Sequence, residues 1–327
     1  MAEQLRIGIL GTGRVASYGI IQPAASTPEV TVAAVASRSL EKAQAFAKQF
    51  SIGRSHGTYS ALIEDTDIDA IYVALPPALH PMWVRAALDA GKHVLCEKPL
   101  APNAKVAEEL VAHARARNRV LQEGLHIRFM NRLQRQRDRV ASGELGRIVR
   151  IESCFRLPKI PMADGDFRLS YELGGGAALD IGCYAASCLL FIAGESGEVT
   201  GARCRLAAPE VDRWIRADIR LASGAAARCE CGFRGWYRAR LDVRVECEHG
   251  RIWWDKDGLV YRREGMTIKE PIKELWTYHR QLDAFLRKTR GEASYGPTPE
   301  ESVAAARLVD GMLTAAGLST RQPLETM

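Results

Sequence analysis

The sequence predicts an α/β protein in two parts: a doubly wound parallel sheet, then a C-terminal α+β unit on an open, mostly antiparallel sheet. Three observations predict it. Up to residue 124, short apolar runs alternate with amphipathic stretches of helical period, the pattern of parallel strands with crossover helices. The first run, residues 6–10, leads at once into Gly11-Thr12-Gly13-Arg14-Val15-Ala16. Beyond Gly124, long segments of alternating polarity are joined by tight turns such as Ala222-Ser223-Gly224 and Glu248-His249-Gly250, which connect antiparallel neighbours.

Taken in order, the first strand and its glycines form GxGxxA, with a helix expected to about residue 26. Gly11 permits the tight turn, Gly13 leaves room for a pyrophosphate, and Ala16 lets the helix pack on the sheet. Free N–H groups and the positive dipole end at the helix start suit phosphate. The second strand, 32–36, ends in Ser37-Arg38 and lacks the acid that grips a ribose 2′-hydroxyl. A hydroxyl and a guanidinium there suit a 2′-phosphate, so NADP(H) is favoured over NAD(H).

A strand over 70–74 runs into Leu75-Pro76-Pro77 and a helix over 80–90. Next comes Val94-Leu95-Cys96-Glu97-Lys98-Pro99-Leu100, a strand stopped by a proline that cannot donate to a ladder. Ligands of open α/β sheets lie outside the carboxyl ends of the strands. The cofactor candidates are therefore Gly11, Thr12, Gly13, Arg14, Val15, Ser37, Arg38, Leu75, Pro76, His80, Glu97 and Lys98. A helix over 103–117 and a strand over 120–122 complete the first part, and Glu123-Gly124 breaks the alternation. The expected division is 1–124 and 125–327, with a C-terminal helix able to pack back on the first part.

In the second part a helix over 130–142 precedes a long strand over 147–156. Gly174-Gly175-Gly176 then opens a helix over 177–192, where Asp180 and Tyr184, four residues apart, share one face. Polar groups on an otherwise apolar helix are costly unless paired or facing a ligand. Strands are expected over 214–221, 226–233, 241–247 and 251–254, helices over 276–288 and 299–316, and a frayed tail over 321–327.

Composition narrows the function classes. The 45 Lys and Arg exceed the 39 Asp and Glu by six, spread without a long basic block, which suits an anionic cofactor better than nucleic acid. No apolar run reaches membrane-span length. The eight cysteines contain no CxxC pair, as expected of free thiols in a cytoplasmic protein without a metal site.

GxGxxA at Gly11, Glu97-Lys98-Pro99 closing a strand, and the three glycines before Asp180-Ile181-Gly182-Cys183-Tyr184 together resemble the Gfo/Idh/MocA oxidoreductase family. The resemblance covers nearly the entire chain. It implies a Rossmann domain, then an α/β domain whose open sheet often makes a dimer, here a homodimer or homotetramer. It also implies that the lysine of the EKP motif and a residue of the glycine-rich helix do the chemistry. Many members carry histidine at Tyr184. The tyrosine form resembles the branch of glucose-fructose oxidoreductase, dihydrodiol dehydrogenase, NADP-dependent xylose dehydrogenase and the 3-ketosugar reductases.

The expected reaction is hydride transfer between the nicotinamide and a sugar, ketosugar or cyclic diol carbon. Tyr184 is the expected acid/base group, Lys98 the cation that lowers its pKa and holds the nicotinamide ribose, and Asp180 the acceptor of a substrate hydroxyl. Arg156 and Arg168 are further candidates for substrate contact. The alternatives are a catalytically silent nucleotide- or sugar-sensing regulator and a cyclic-polyol dehydrogenase.

Overall fold

The computed structural model describes residues 4–158, 162, 165–233 and 239–324. The first sheet has six parallel strands: β1 (Leu5–Leu10), β2 (Val30–Ala36), β3 (Arg54–His56), β4 (Ala70–Val73), β5 (His93–Glu97) and β6 (Leu121–Gly124). Their order is β3-β2-β1-β4-β5-β6, the doubly wound Rossmann arrangement. Successive side chains point to opposite faces. Ile71, Val73, Val94 and Cys96 meet Val84, Leu88 and Leu110 on one side. Ile7, Ile9, Tyr72 and Leu95 meet Ala16, Ile20 and Phe285 on the other.

The second sheet has eight strands: β7 (Ile148–Arg156), β8 (Gly197–Ala208), β9 (Val211–Leu221), β10 (Ala226–Gly232), β11 (Arg240–Cys247), β12 (Gly250–Trp254), β13 (Gly258–Arg263) and β14 (Met266–Pro271). The order is β14-β13-β12-β11-β7-β10-β9-β8. Only β7 and β10 pair in parallel. One face carries Ile151, Ile215, Cys229 and Val243 against Leu189, Leu308 and Met312. The other carries ion pairs: Arg150 with Glu152, Arg228 with Asp218, Arg156 with Glu230, and Arg240 and Arg244 with Asp242.

Four strands depart from the sequence expectation. Residues 54–56, 197–208, 258–263 and 266–271 carry too little regular apolar alternation to announce themselves, and their neighbours in the ladder make them strands. The two last helices tie the molecule together. Thr277–Thr289 buries Leu282, Phe285 and Leu286 on the Rossmann sheet, and Pro299–Ala315 places Val303 in one core and Leu308, Val309 and Met312 in the other.

The tail corrects the expectation of fraying. Arg321 is fully buried and its main-chain carbonyl accepts from Asn103 Nδ2 at 2.7 Å. Residues 325–327 of that expectation lie outside the described residues. Among the described residues, no helix is long and apolar enough to cross a membrane, and no cluster of His, Cys, Asp or Glu could hold a metal.

Candidate active site

The site lies where the carboxyl ends of β1, β2, β4, β5 and β6 face the helix that follows the three glycines. Gly11 has φ +102°, and a Cβ there would lie 2.6 Å from the Ala74 carbonyl, so only glycine fits the turn. A Cβ on Gly13 would meet only that carbonyl, at 3.9 Å. The space beside Gly13 is thus open to a ligand, and no side chain caps the helix that starts at Arg14. At the end of β2, Ser37 is buried and Arg38 exposed, its guanidinium beside the Tyr59 hydroxyl. These residues fit a phosphate-bearing dinucleotide.

Lys98 leaves β5 toward the second part. Its ammonium donates to Asp180 Oδ1 at 2.7 Å and to the Asp180 carbonyl at 2.6 Å. Arg168 donates from Nε to Asp180 Oδ2 at 2.8 Å. The carboxylate is 5% exposed and the Lys98 side chain 16%. Burial opposes both charges, but the pairing outweighs it: Asp180 is held below the usual carboxylate range by Lys98 and Arg168, and Lys98 above the usual lysine range by Asp180. Asp180 therefore acts first as the anchor of two cations. Each of its oxygens accepts from one of them, and a carboxylate oxygen can accept a second hydrogen bond.

Residues Ala178–Gly182 wind as a π-helix and continue as the α-helix Cys183–Ala193. Such wide turns recur at functional sites. They leave Asp180 and Tyr184 converging on Lys98, whose ammonium is 5.1 Å from the centre of the Tyr184 ring. Among the described residues the Tyr184 hydroxyl has no protein hydrogen-bond partner. The expected lowering of its pKa by Lys98 is reversed. Burial, reinforced by Tyr278 and Glu97, pushes the phenol well above the ordinary tyrosine range.

The remaining candidates separate. Leu75 and Pro76 line the carboxyl end of β4, half-buried. The His80 ring is wholly buried between the carbonyls of Pro99 (2.8 Å) and Leu75 (2.7 Å), and burial lowers its pKa to about 4. Neutral, it donates to one of them, and it ties the loop after β4 to the loop after β5. Glu97 is also buried and accepts from the Tyr72 hydroxyl. Arg156 is corrected. It follows Phe155, which packs on Tyr184, and so points to the opposite, open face of the sheet, where it pairs with Glu230.

Three cleft residues were not legible as such. His126 stacks on Tyr278 at 4.0 Å and meets the Tyr184 ring edge-on at 5.5 Å, and Tyr18 meets Tyr278 at 5.4 Å. Burial and the Lys98 charge lower the His126 pKa to about 3, so the ring is neutral. Its position two residues past β6, at the carboxyl end of a parallel strand, was the available signal.

A Rossmann sheet that carries a lysine at the end of one strand and faces a helix-borne tyrosine defines a dinucleotide-dependent oxidoreductase class. Residues 5–125 match the oxidoreductase family with an NAD-binding Rossmann fold, and residues 133–253 match the GFO/IDH/MocA C-terminal domain. The chain is 33% identical over 322 residues to D-xylose 1-dehydrogenase (NADP(+)) 2 of Haloferax volcanii, covering 95% of this chain and 97% of that one. It belongs to the Gfo/Idh/MocA oxidoreductase family. It is also 33% identical over 259 residues, 78% of this chain and 76% of the other, to dTDP-3,4-didehydro-2,6-dideoxy-alpha-D-glucose 3-reductase of Actinomadura kijaniata. A solved structure of a 3-ketoreductase from that organism, in complex with NADP and TDP-benzene, superposes with a TM-score of 0.87 at 28% identity, covering 96% of this chain and 98% of that one.

Proposed function

We propose that this protein is a cytoplasmic NADP(H)-dependent reductase or dehydrogenase of a sugar, ketosugar or cyclic diol, with residues 1–124 binding the cofactor and 125–327 the substrate. The observation that carries the reading is a Tyr184 hydroxyl without a partner among the described residues, its ring beside a lysine held charged by a buried carboxylate. The cofactor, when bound, supplies or accepts a hydride at its nicotinamide. Tyr184 donates its proton to the carbonyl oxygen of the substrate as negative charge develops there. Its raised pKa keeps that proton in place at neutral pH, which serves reduction. Lys98, fixed by Asp180, supplies the positive charge that stabilises the phenolate left behind. Arg168 reaches the same carboxylate and is 31% exposed, within reach of substrate hydroxyls. All eight cysteines are free, as suits a reducing compartment. NADPH consumption against a panel of aldoses, ketosugars and diols tests the reading, and binding without turnover on every member would favour the silent regulator.

NADP(H) is the expected cofactor because Ser37 and Arg38 follow directly on β2, and because the xylose dehydrogenase relative carries NADP(+) in its name. Arg38→Asp should reverse the preference between NADPH and NADH, since an acid repels a 2′-phosphate and accepts from a ribose 2′-hydroxyl. Equal dissociation constants for both cofactors in the unaltered protein would count against this assignment.

The open face of the second sheet is proposed as a homodimer interface. Among the described residues helices cover only its other face, and the open one presents arginines with Trp214, a composition common at interfaces. Sedimentation at micromolar concentration should show a dimer or tetramer. A monomer alone would exclude this assembly.

A further inference from the structure

We propose that the C-terminal segment 319–324 is a latch that fixes the helix carrying Asp180 and Tyr184 against the nucleotide-binding part, with Arg321 as its positioning residue. The inference rests on the function proposed above only for its effect on turnover.

The segment is bonded to both parts. From the first, Asn103 Nδ2 donates to the Arg321 carbonyl at 2.7 Å, and Leu324 N donates to the carbonyl of Ala78 at 2.9 Å. Ala78 follows the Leu75-Pro76-Pro77 loop at the end of β4. From the second, the Tyr171 hydroxyl donates to the Thr320 carbonyl at 2.9 Å, and Arg321 Nε donates to the Gly175 carbonyl at 3.0 Å. The guanidinium also lies over the Tyr171 ring, 4.8 Å from its centre.

Arg321 then holds Asp212, and Asp212 holds the start of the helix. Both side chains are fully buried, with Nη2 3.5 Å from Oδ1. Asp212 Oδ2 accepts from the main-chain N–H of Ala178 at 2.8 Å, in the first turn of the π-helix. Gly176 has φ +115°, and a Cβ there would lie 2.3 Å from Asp212 Oδ1, so the loop is cut to admit this carboxylate. A second route runs beside it. Gly176 N donates to the Arg168 carbonyl at 3.0 Å, and Arg168 donates to Asp180, which holds Lys98.

A buried ion pair is a weak source of stability and a good source of geometry. Here burial pushes Asp212 up and Arg321 down, so the pair is not tuned for strength. Its directed bonds end on the main chain of the glycine loop and of the helix start, which is where a small rotation would move both Asp180 and Tyr184. Misplacement of about 1 Å suffices to cost on the order of a hundredfold in rate.

The test compares Arg321→Met with the unaltered protein by hydrogen exchange and by kinetics. In the variant, amides of residues 176–184 should exchange at least about tenfold faster, while those of the helix Ala104–Ala116 keep their rates. Turnover should fall by about tenfold or more, with the NADPH dissociation constant changed less than about threefold, and Arg321→Lys should recover part of the loss. Uniform acceleration of exchange, or selective acceleration with turnover intact, overturns the latch. If Arg321→Met does not fold, Tyr171→Phe takes its place, with a smaller but equally selective effect expected and no effect contradicting the proposal. Absence of turnover by the unaltered protein on every carbohydrate would count against the proposed function, and the exchange data would still decide the latch.

Discussion

Tyr184→Phe should reduce turnover by on the order of 10²- to 10⁴-fold, the usual contribution of a positioned acid/base group, with NADPH affinity nearly unchanged. The substitution removes a hydroxyl that no protein group engages among the described residues and keeps the ring between His126, Phe155 and Lys98. Folding should tolerate it, because no buried partner is orphaned. If the phenol only packs, the variant retains turnover and loses stability at most. Turnover and thermal midpoint measured on one preparation separate these outcomes, and near-normal turnover would remove Tyr184 from the mechanism.

The other large effect is expected from Lys98→Met, which should damage turnover, cofactor binding and stability together. The methionine fills similar volume but leaves Asp180 with Arg168 as its one cation among the described residues. Stripping one partner from a buried pair costs about 3–5 kcal/mol, and less here because Arg168 remains. The pH dependence of stability should report the same change. Asp180 is depressed in the folded protein, so its contribution is present above the unfolded carboxyl value, about 3.9, and is lost as pH falls through the lower folded value. Lys98→Met raises that folded value, so the variant should give up its Asp180 contribution at a higher pH than the unaltered protein. Acid unfolding curves that superpose would show that the pair does not hold the site.

Much of this arrangement was legible because local chemistry and tertiary role agree. A glycine forced to φ +102° beside the Ala74 carbonyl, a proline ending β5 and a polar pair on an apolar helix each carry their reason within a few residues. What stayed hidden depends on partners distant in sequence. The strand Arg54–His56 holds no buried residue and exists because β2 offers it a ladder. Arg156 was a candidate for substrate contact alongside Arg168, yet one step of strand alternation sends it to the far face of the sheet. The polar tail resembled a loose end, while Arg321 finds its acid 109 residues earlier in the chain. The sign of the Tyr184 shift was likewise out of reach, since it turns on how completely the fold buries the phenol and on Asp180 claiming Lys98.

The central claim is that this site passes a hydride between a nicotinamide and a carbohydrate carbon. Its most direct test is to supply NADPH carrying deuterium at the transferable position of the nicotinamide, with the ketosugar that gives the highest turnover, and to locate the label in the product by mass spectrometry. The account expects one deuterium on the new carbinol carbon of every product molecule, with less labelled product formed in a given time by Tyr184→Phe in proportion to its lower rate. NADPH consumed with no deuterium on any product carbon would contradict it.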